Sequence, residues 1–262
     1  MGKILITGGN GYIAKSLMAG LSQRYDITTI TRTDFDLTCS HAVNKWFEQR
    51  QFDVVIHTAI SGGSRLKVDE HSVVDQNLSM HYNLMTNRHN FKRLISFGSG
   101  AEMFSPDTPY GTSKRIIAES IKATDNWYNL RIFAVFDENE LNTRFIKANL
   151  MRYLRKEPMQ IHSNRLMDFF YMKDLIALVQ YYLTEDSPSK EVNCSYPNKY
   201  TLTNIASIIN QMGSHQVPIV VEENGKLGVY CGDGESLPIN TIGLESGIRE
   251  TYKALMKEEH TL

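Results

Sequence analysis

The order of apolar and polar positions changes character near residue 135. Before it, short apolar runs alternate with helical patterns. Lys3 to Thr7 (KILIT) reads as a buried strand, and Tyr12 to Arg24 places Ile13, Leu17 and Leu21 near one helix face. Ile27 to Thr31 is β-branched and strand-like, Ser40 to Arg50 suits a helix, and DVVIHTA (Asp53 to Ala59) suits a second buried strand. A long helix over Val68 to Asn90, a strand over Arg93 to Ser99, a helix over Ser113 to Ala123 and a strand over Leu130 to Phe136 complete the series. Strand–helix alternation of this kind predicts an α/β fold, a parallel sheet with helices on both faces.

The second half is less regular. Asp168 to Met172 suits a short strand, Asp174 to Leu183 a helix, Thr203 to Met212 a helix with a threonine cap, PIVVEENG a strand running into a turn, and Leu244 to Lys257 a closing helix. The pattern therefore divides the chain into a sheet-bearing domain over residues 1–160 and a smaller part over 161–262, partly interleaved with it.

Composition narrows the function classes. Lys plus Arg (28) nearly balances Asp plus Glu (29), so no basic footprint of a nucleic-acid binder is present. No apolar run is long enough to span a bilayer, and MGKILITGG reads as strand and turn rather than signal peptide. Three scattered cysteines, Cys39, Cys194 and Cys231, fit a reducing compartment, and the expectation is a cytoplasmic protein. The eight histidines show no metal-ligand spacing, no G-x-S-x-G elbow occurs, and His57, closing a buried strand, reads as structural.

The chemistry begins at KILITGGNGYIAKSL, where Gly8, Gly9 and Gly11 lie between strand and helix. Glycines there let the backbone turn tightly and approach a pyrophosphate, and the following helix aims its N–H groups at the phosphates. This stretch resembles the short-chain dehydrogenase/reductase superfamily, in particular its extended, sugar-nucleotide branch, the NAD-dependent epimerase/dehydratase family. Thr7, Gly8 and Gly11 match that family's TGxxGxxG, with Ala14 in place of the last glycine. The resemblance implies a Rossmann-type doubly wound sheet with a small C-terminal substrate-binding part, and cofactor contacts at Gly8, Asn10, Gly11, Tyr12 and Ile13.

The second strand ends in Thr31 and Arg32. NAD-binding relatives carry an acidic residue there, about 20 residues past the glycines, to hold the ribose 2′-OH. A guanidinium suits a 2′-phosphate instead, so the expected cofactor is NADP(H); the plainer alternative leaves Arg32 a solvated charge. The family's pattern adds Asp36 and Leu37 beside adenine, then Thr58, Ala59 and Ile60, and Phe133 farther on. Asn77 matches a family asparagine on the long helix, although a plain helix-surface role reads equally well.

The family's reactive centre is a Ser or Thr after one strand and a Tyr-x-x-x-Lys on the next helix. YGTSKRIIAES supplies Tyr110 and Lys114, four apart and so on one helix face. ISFGSGAEM offers Ser99, with Ser96 as a rival. The resemblance implies that Tyr110 protonates a developing alkoxide, Ser99 polarises the carbonyl, and Lys114 lowers the phenol's pKa and holds the nicotinamide ribose, with Tyr110 and Lys114 thus also touching cofactor. Gly62 and Gly63 form a loop near the expected nicotinamide end, serving either close approach to substrate or a simple turn.

Departures from the family narrow the reaction. Dehydratases place Asp-Glu after the catalytic Ser or Thr; here Gly100 and Ala101 follow Ser99, and Glu102 lies too far along to match. The GDP-fucose synthase group, resembled by DLTCSHAVNKWF, epimerises with a Cys and a His, whose matching positions are Ala101 and Arg144. The expected reaction is therefore NADPH-dependent reduction of a keto group on a sugar nucleotide, such as a 4-keto-6-deoxyhexose nucleotide. A sugar-nucleotide epimerase with retained NAD(P) and a non-catalytic dinucleotide-sensing module are the alternatives. Ser99 and Tyr110 would meet the substrate, and Arg144 and Arg165 read either as grips on its diphosphate or as exposed arginines. RLMDFFYMKDL and GLESGIRETY extend the resemblance toward the C-terminus. A homodimer through the two long helices is usual in the family, though no residue specifies it.

Overall fold

The computed structural model describes residues 2–64, 67–234 and 236–259. A central six-stranded sheet has the order β2-β1-β3-β4-β5-β9. Its strands are β1 (Lys3–Thr7), β2 (Asp26–Ile30), β3 (Phe52–His57), β4 (Phe91–Ser99), β5 (Trp127–Ile132) and β9 (Glu191–Cys194). The β1–β2, β1–β3 and β3–β4 pairs are parallel, with Leu5 opposite Thr28 on one side and Val55 on the other. Ile4, Leu5, Ile6, Val55 and Ile56 are buried, as strands covered on both faces require.

The sheet's helices follow the expected order: α1 (Tyr12–Leu21), α2 (Ser40–Phe47), α3 (Ser72–Thr86), the short α4 (Ala101–Phe104) and α5 (Pro109–Lys122). α1 buries Ala14, Leu17 and Leu21, so the apolar stripe runs through Ala14 rather than Ile13. α5 begins four residues before the apolar pattern does, because Thr108 caps it by accepting the Gly111 N–H at 3.1 Å and Pro109 stands at its first turn. α3 is shorter than its pattern at both ends, and residues 88–90 form one turn of 3-10 helix. Under the sheet, Leu5, Val43, Phe47, Leu84, Leu94, Ile121 and Trp127 form one apolar cluster.

The chain divides into two compact units, Met1–Arg131 with Leu178–Val192, and Ile132–Ala177 with Asn193–Leu262. The division falls at 131/132 rather than at 160/161, and 178–192 return to the first unit, because β9 completes the edge of the sheet beside β5. The predicted strand over Leu130 to Phe136 is two strands in fact, β5 in the sheet and β6 (Val135–Phe136) paired in parallel with β8 (Phe170–Tyr171).

The second unit also pairs β7 (Met159–Met167) with β10 (Ile219–Tyr230), in parallel with a register shift between Glu223 and Gly228. Its helices include α6 (Phe145–Leu154), α8 (Leu202–Ile209) and α9 (Leu244–Glu259), while α7 (Met172–Thr184) begins in this unit and ends in the other. The cap of α8 is Thr201 rather than Thr203, in a capping box with Asn204. Asp174 is the buried anchor of this unit: it accepts the Tyr196 hydroxyl and the N–H groups of Ile242 (2.7 Å) and Gly243 (3.0 Å).

Candidate active site

The strand order fixes where a ligand can bind. β1 has β2 on one side and β3 on the other, so the chain reverses direction there, and a crevice opens beyond the carboxyl ends of these strands. A cavity of about 510 Å3 occupies that place. Gly8, Asn10 and Gly11 line it after β1, Thr31, Arg32, Asp36 and Leu37 after β2, and Thr58, Ala59 and Ile60 after β3. Nine residues expected from sequence to touch the cofactor thus come together, from three separate strand ends.

Glycine is obligatory at the turn. Gly8 has φ +71°, and a Cβ there would lie 2.8 Å from the Ala59 Cα. The Gly11 N–H closes the turn on the Gly8 carbonyl at 2.8 Å, and Gly11 stands at the N-cap of α1 without any side chain over the helix end. The β1 and β3 ends are tied by hydroxyls: Thr58 Oγ1 donates to the Thr7 carbonyl at 2.6 Å, and Thr7 Oγ1 accepts the Ala59 N–H at 3.2 Å. His57 belongs to the same tie, with Nδ1 2.8 Å from Thr7 Oγ1. Burial, first, and the nearby Lys114 charge hold the imidazole neutral with a pKa of about 3.

At the β2 end Asp34 forms an anionic turn that sequence reading did not single out. Its carboxylate accepts the Thr31 N–H at 2.7 Å and the Thr31 hydroxyl at 2.9 Å, and the first of these bonds holds its pKa below the usual carboxylate value. Asp36 accepts the Thr38 N–H at 2.9 Å, which likewise lowers its pKa. Ile30, Phe35, Gln76 and Met80 also line the cavity; two of them come from α3, whose contribution no strand-end motif announces.

The loop after β3 leads from the cavity to Tyr110. Ser61 is held by α3, its N–H donating to Asn77 Oδ1 at 2.8 Å and its hydroxyl to Gln76 Oε1 at 2.6 Å. Asn77 is not a surface residue: it is buried, and its amide also donates to the Ser61 carbonyl and to Ser113 Oγ, both at 3.0 Å. It clamps the loop to α5. Gly62 and Gly63 both have positive φ, and a Cβ on Gly63 would lie 2.7 Å from the Tyr110 ring. Gly63 therefore serves a close approach to the phenol, and Gly62 a close approach to Asp69 and Val73.

Tyr110 and Lys114 share the first turns of α5, with the Lys114 Nζ 5.8 Å from the centre of the Tyr110 ring. Lys114 is buried and donates to the Phe97 carbonyl at 2.5 Å, two residues before Ser99. Burial lowers its pKa to about 8, against the opposing pull of the Glu102 carboxylate. Ser99 Oγ accepts the Ala101 N–H at 3.1 Å, which leaves the hydroxyl proton for an outside acceptor. Ser96, the rival, lies inside β4 opposite His57 in the sheet register and is buried there.

Phe133, Arg144 and Arg165 belong to the second unit. Phe133 packs edge-on against Tyr230 with ring centres 5.7 Å apart. Arg144 is the N-cap residue of α6, and Arg165 is exposed on β7. The cavity lining contains none of the three. Tyr12 and Ile13 open α1 and are likewise outside the lining.

Residues 4–195 match the model of the NAD dependent epimerase/dehydratase family. The chain belongs to this family. Among curated relatives, the CDP-abequose synthase of Yersinia pseudotuberculosis is 20% identical over 245 residues, which are 83% of this chain and 87% of the relative. Among solved structures, the GDP-mannoheptose C4 reductase of Campylobacter jejuni, with NADP bound, superposes with a TM-score of 0.80 at 20% identity, covering 97% of this chain and 98% of that one. The UDP-glucose 4-epimerase of Thermus thermophilus, in complex with NAD, gives 0.74 at 17% identity over 97% and 99%. The expected Rossmann-type α/β fold is thus the fold of the family. Among the described residues no helix is long and apolar enough to cross a membrane, and no cluster of three or more His, Cys, Asp or Glu could hold a metal ion.

Proposed function

We propose that the protein is an NADPH-dependent reductase of a keto group on a sugar nucleotide, with Ser99, Tyr110 and Lys114 as its reactive residues. The observation that carries the reading is the buried Lys114 ammonium beside the Tyr110 ring, on the helix reached by the loop that lines the dinucleotide cavity. The cavity fits a dinucleotide by its cradle: at Gly8 a side chain would strike backbone, and Gly11 leaves the α1 terminus uncovered. Gly8, Asn10 and Gly11 would hold the pyrophosphate, Asp36 and Leu37 the adenine side, and Thr58 to Ile60 the stretch toward the nicotinamide.

Arg32 on the cavity wall, with threonine rather than an acidic residue at position 31, supports NADP over NAD. The bound nicotinamide supplies the hydride for a carbonyl carbon. Ser99 donates its hydroxyl proton in a hydrogen bond to the carbonyl oxygen, and Tyr110 transfers its phenolic proton to that oxygen as negative charge builds there. Lys114 stabilises the phenolate left on Tyr110 until solvent reprotonates it. Ala101 and Arg144 at the positions of the epimerising Cys and His favour plain reduction over epimerisation. Arg144 and Arg165 are proposed to grip the substrate diphosphate, and the assembly is proposed to be a homodimer in the cytoplasm.

The test is NADPH oxidation against GDP-, CDP- and UDP-linked 4-keto-6-deoxyhexoses, with the purified protein first scanned for bound nucleotide. Stoichiometric consumption of NADPH is the expected result. Tightly held NAD, with interconversion of sugar nucleotides and no NADPH consumption, would establish the epimerase instead.

A further inference from the structure

Glu102 carries a buried carboxylate that no step above uses. It lies in α4, one turn past Ser99, and is 7% exposed. Its Oε1 accepts the Ser99 N–H at 2.8 Å. Its Oε2 faces Arg131 Nε at 2.7 Å and Asn129 Nδ2 at 3.5 Å. Arg131 in turn donates to Glu191 Oε1 at 2.9 Å, and Lys122 Nζ lies 3.2 Å from Glu191 Oε2, so the guanidinium serves both carboxylates while the outer one also has a cation of its own.

The strand is shaped around this carboxylate. A Cβ on Gly98 would lie 2.4 Å from Glu102 Oε1 and 2.5 Å from Asn129 Oδ1, so only glycine admits the pair beneath the last residues of β4. A buried ion pair is weak as a source of stability, since apolar side chains of similar volume often do as well. Two things an apolar residue there could not do are to hold the Ser99 N–H and to present negative charge toward Lys114. The Lys114 ammonium reaches Phe97 O, immediately before Gly98. Beside the ammonium lies the Tyr110 phenol, with the ring centre 5.8 Å from Nζ, and the ammonium charge is also felt by His57 and His81, both kept neutral chiefly by burial with pKa values of about 3 and about 4. Glu102 is the charge that opposes the desolvation of Lys114.

We propose that Glu102 is the positioning residue of the reactive centre: it fixes the Ser99 turn and supplies the negative charge that the buried Lys114 ammonium needs. The role in turnover rests on the reading of Ser99, Tyr110 and Lys114 given above, whereas the electrostatic role is measured without substrate. The full chain is labelled with 13Cε-lysine, Lys114 is assigned by the signal lost in Lys114→Arg, and its titration is followed by NMR. In Glu102→Gln the Lys114 titration moves to lower pH by about one unit or more, the scale of a lost opposite charge nearby. Glu191→Gln, which removes the outer carboxylate from the same guanidinium, moves it far less and leaves turnover within about twofold.

With NADPH and a 4-keto-6-deoxyhexose nucleotide, Glu102→Gln lowers kcat by about tenfold or more, as misplaced reacting groups do, and shifts the basic limb of the kcat profile to lower pH. Loosening of the fold alone would not move that limb. Glu102→Asp keeps the charge but is one methylene shorter, so the Lys114 titration returns while kcat recovers only in part. An unmoved Lys114 titration in Glu102→Gln overturns the electrostatic role. Should that variant not fold, Glu102→Asp with full kcat overturns the positioning role. Turnover that survives in Tyr110→Phe sinks the reactive-centre reading alone, because the Lys114 titration needs no catalysis.

Discussion

Two regions of the first unit handle charge in opposite ways. Around the dinucleotide cavity the polar contacts are backbone groups, hydroxyls and exposed side chains, and the decisive residues are those without a side chain. Asp34 and Asp36 there sit in water and satisfy local N–H groups. Around Ser99 and Lys114 the charges are buried or half-buried, and each is met by a partner from another element: Glu102 by Arg131, Arg131 by Glu191, Lys114 by the Phe97 carbonyl. A site that must accept and release a charged ligand keeps its own charges solvated. The reactive centre proposed above would need its charges desolvated, where they act more strongly.

The sharpest way to break this comparison is at the phenol. Tyr110→Phe is expected to lower turnover by about a thousandfold, within the usual range for a lost general acid, while NADPH binding measured by fluorescence titration stays within about twofold. Wild-type turnover in that variant would remove the proton donor. Next in size is the glycine cradle. Gly8→Ala forces a side chain into positive φ and onto the Ala59 backbone. A loss of about 2–4 kcal/mol in urea denaturation, with weaker binding of NADPH and NADH alike, is the expected outcome.

Arg32→Ala probes the solvated side of the comparison. The loss of charge-assisted hydrogen bonds to a 2′-phosphate is expected to weaken NADPH by about tenfold or more and to leave NADH nearly unchanged. Equal losses for both would return Arg32 to the status of a surface charge. The smallest effect concerns the tie between β1 and β3. His57 is neutral in the folded protein and ordinary when unfolded, so its pKa falls from 6.5 to about 3 on folding. Its neutral form favours the fold above pH 6.5, and that contribution is lost as pH falls toward about 3. The stability difference between the wild type and His57→Asn, read from urea midpoints, should therefore shrink as pH is lowered through this range. A constant difference would mean that the imidazole is not held neutral by burial.

The cavity was far more legible in the sequence than the buried cluster. Gly8, Gly11, Arg32 and Thr58 to Ile60 each stand at the end of an apolar run, and a reader who finds the strands finds the strand ends. Gln76 and Met80 were hidden because α3 shows only helical periodicity, which does not say which turn faces a ligand. Asn77 left two readings open for the same reason, and its hydrogen bonds to Ser61 and Ser113 decide between them. Glu102 was set aside as out of register with the dehydratase pair. Its partners lie 29 residues away, at Arg131, and beyond that at Glu191, 60 residues from Arg131, which no spacing rule connects.

Beyond residue 136 the apolar pattern located α7, α8 and α9, but not α6, β7 or β9. β7 mixes buried, half-buried and exposed residues, three of each among its nine, so its alternation is blurred. β9 is four residues long and belongs to the sheet only because β5 offers it an edge.

What the chain's own order determined is therefore local: strand, turn and helix in succession, glycines where the backbone must turn back on itself, and a phenol four residues before an amine on one helix face. These follow from short-range sterics and periodic burial, which neighbouring residues settle among themselves. The tertiary structure alone decided which strand ends share a crevice, where the two units part, and that a carboxylate from α4 meets a guanidinium from β5 beneath Gly98. Desolvated charges find partners by proximity in space, and that proximity is fixed only once the sheet has closed.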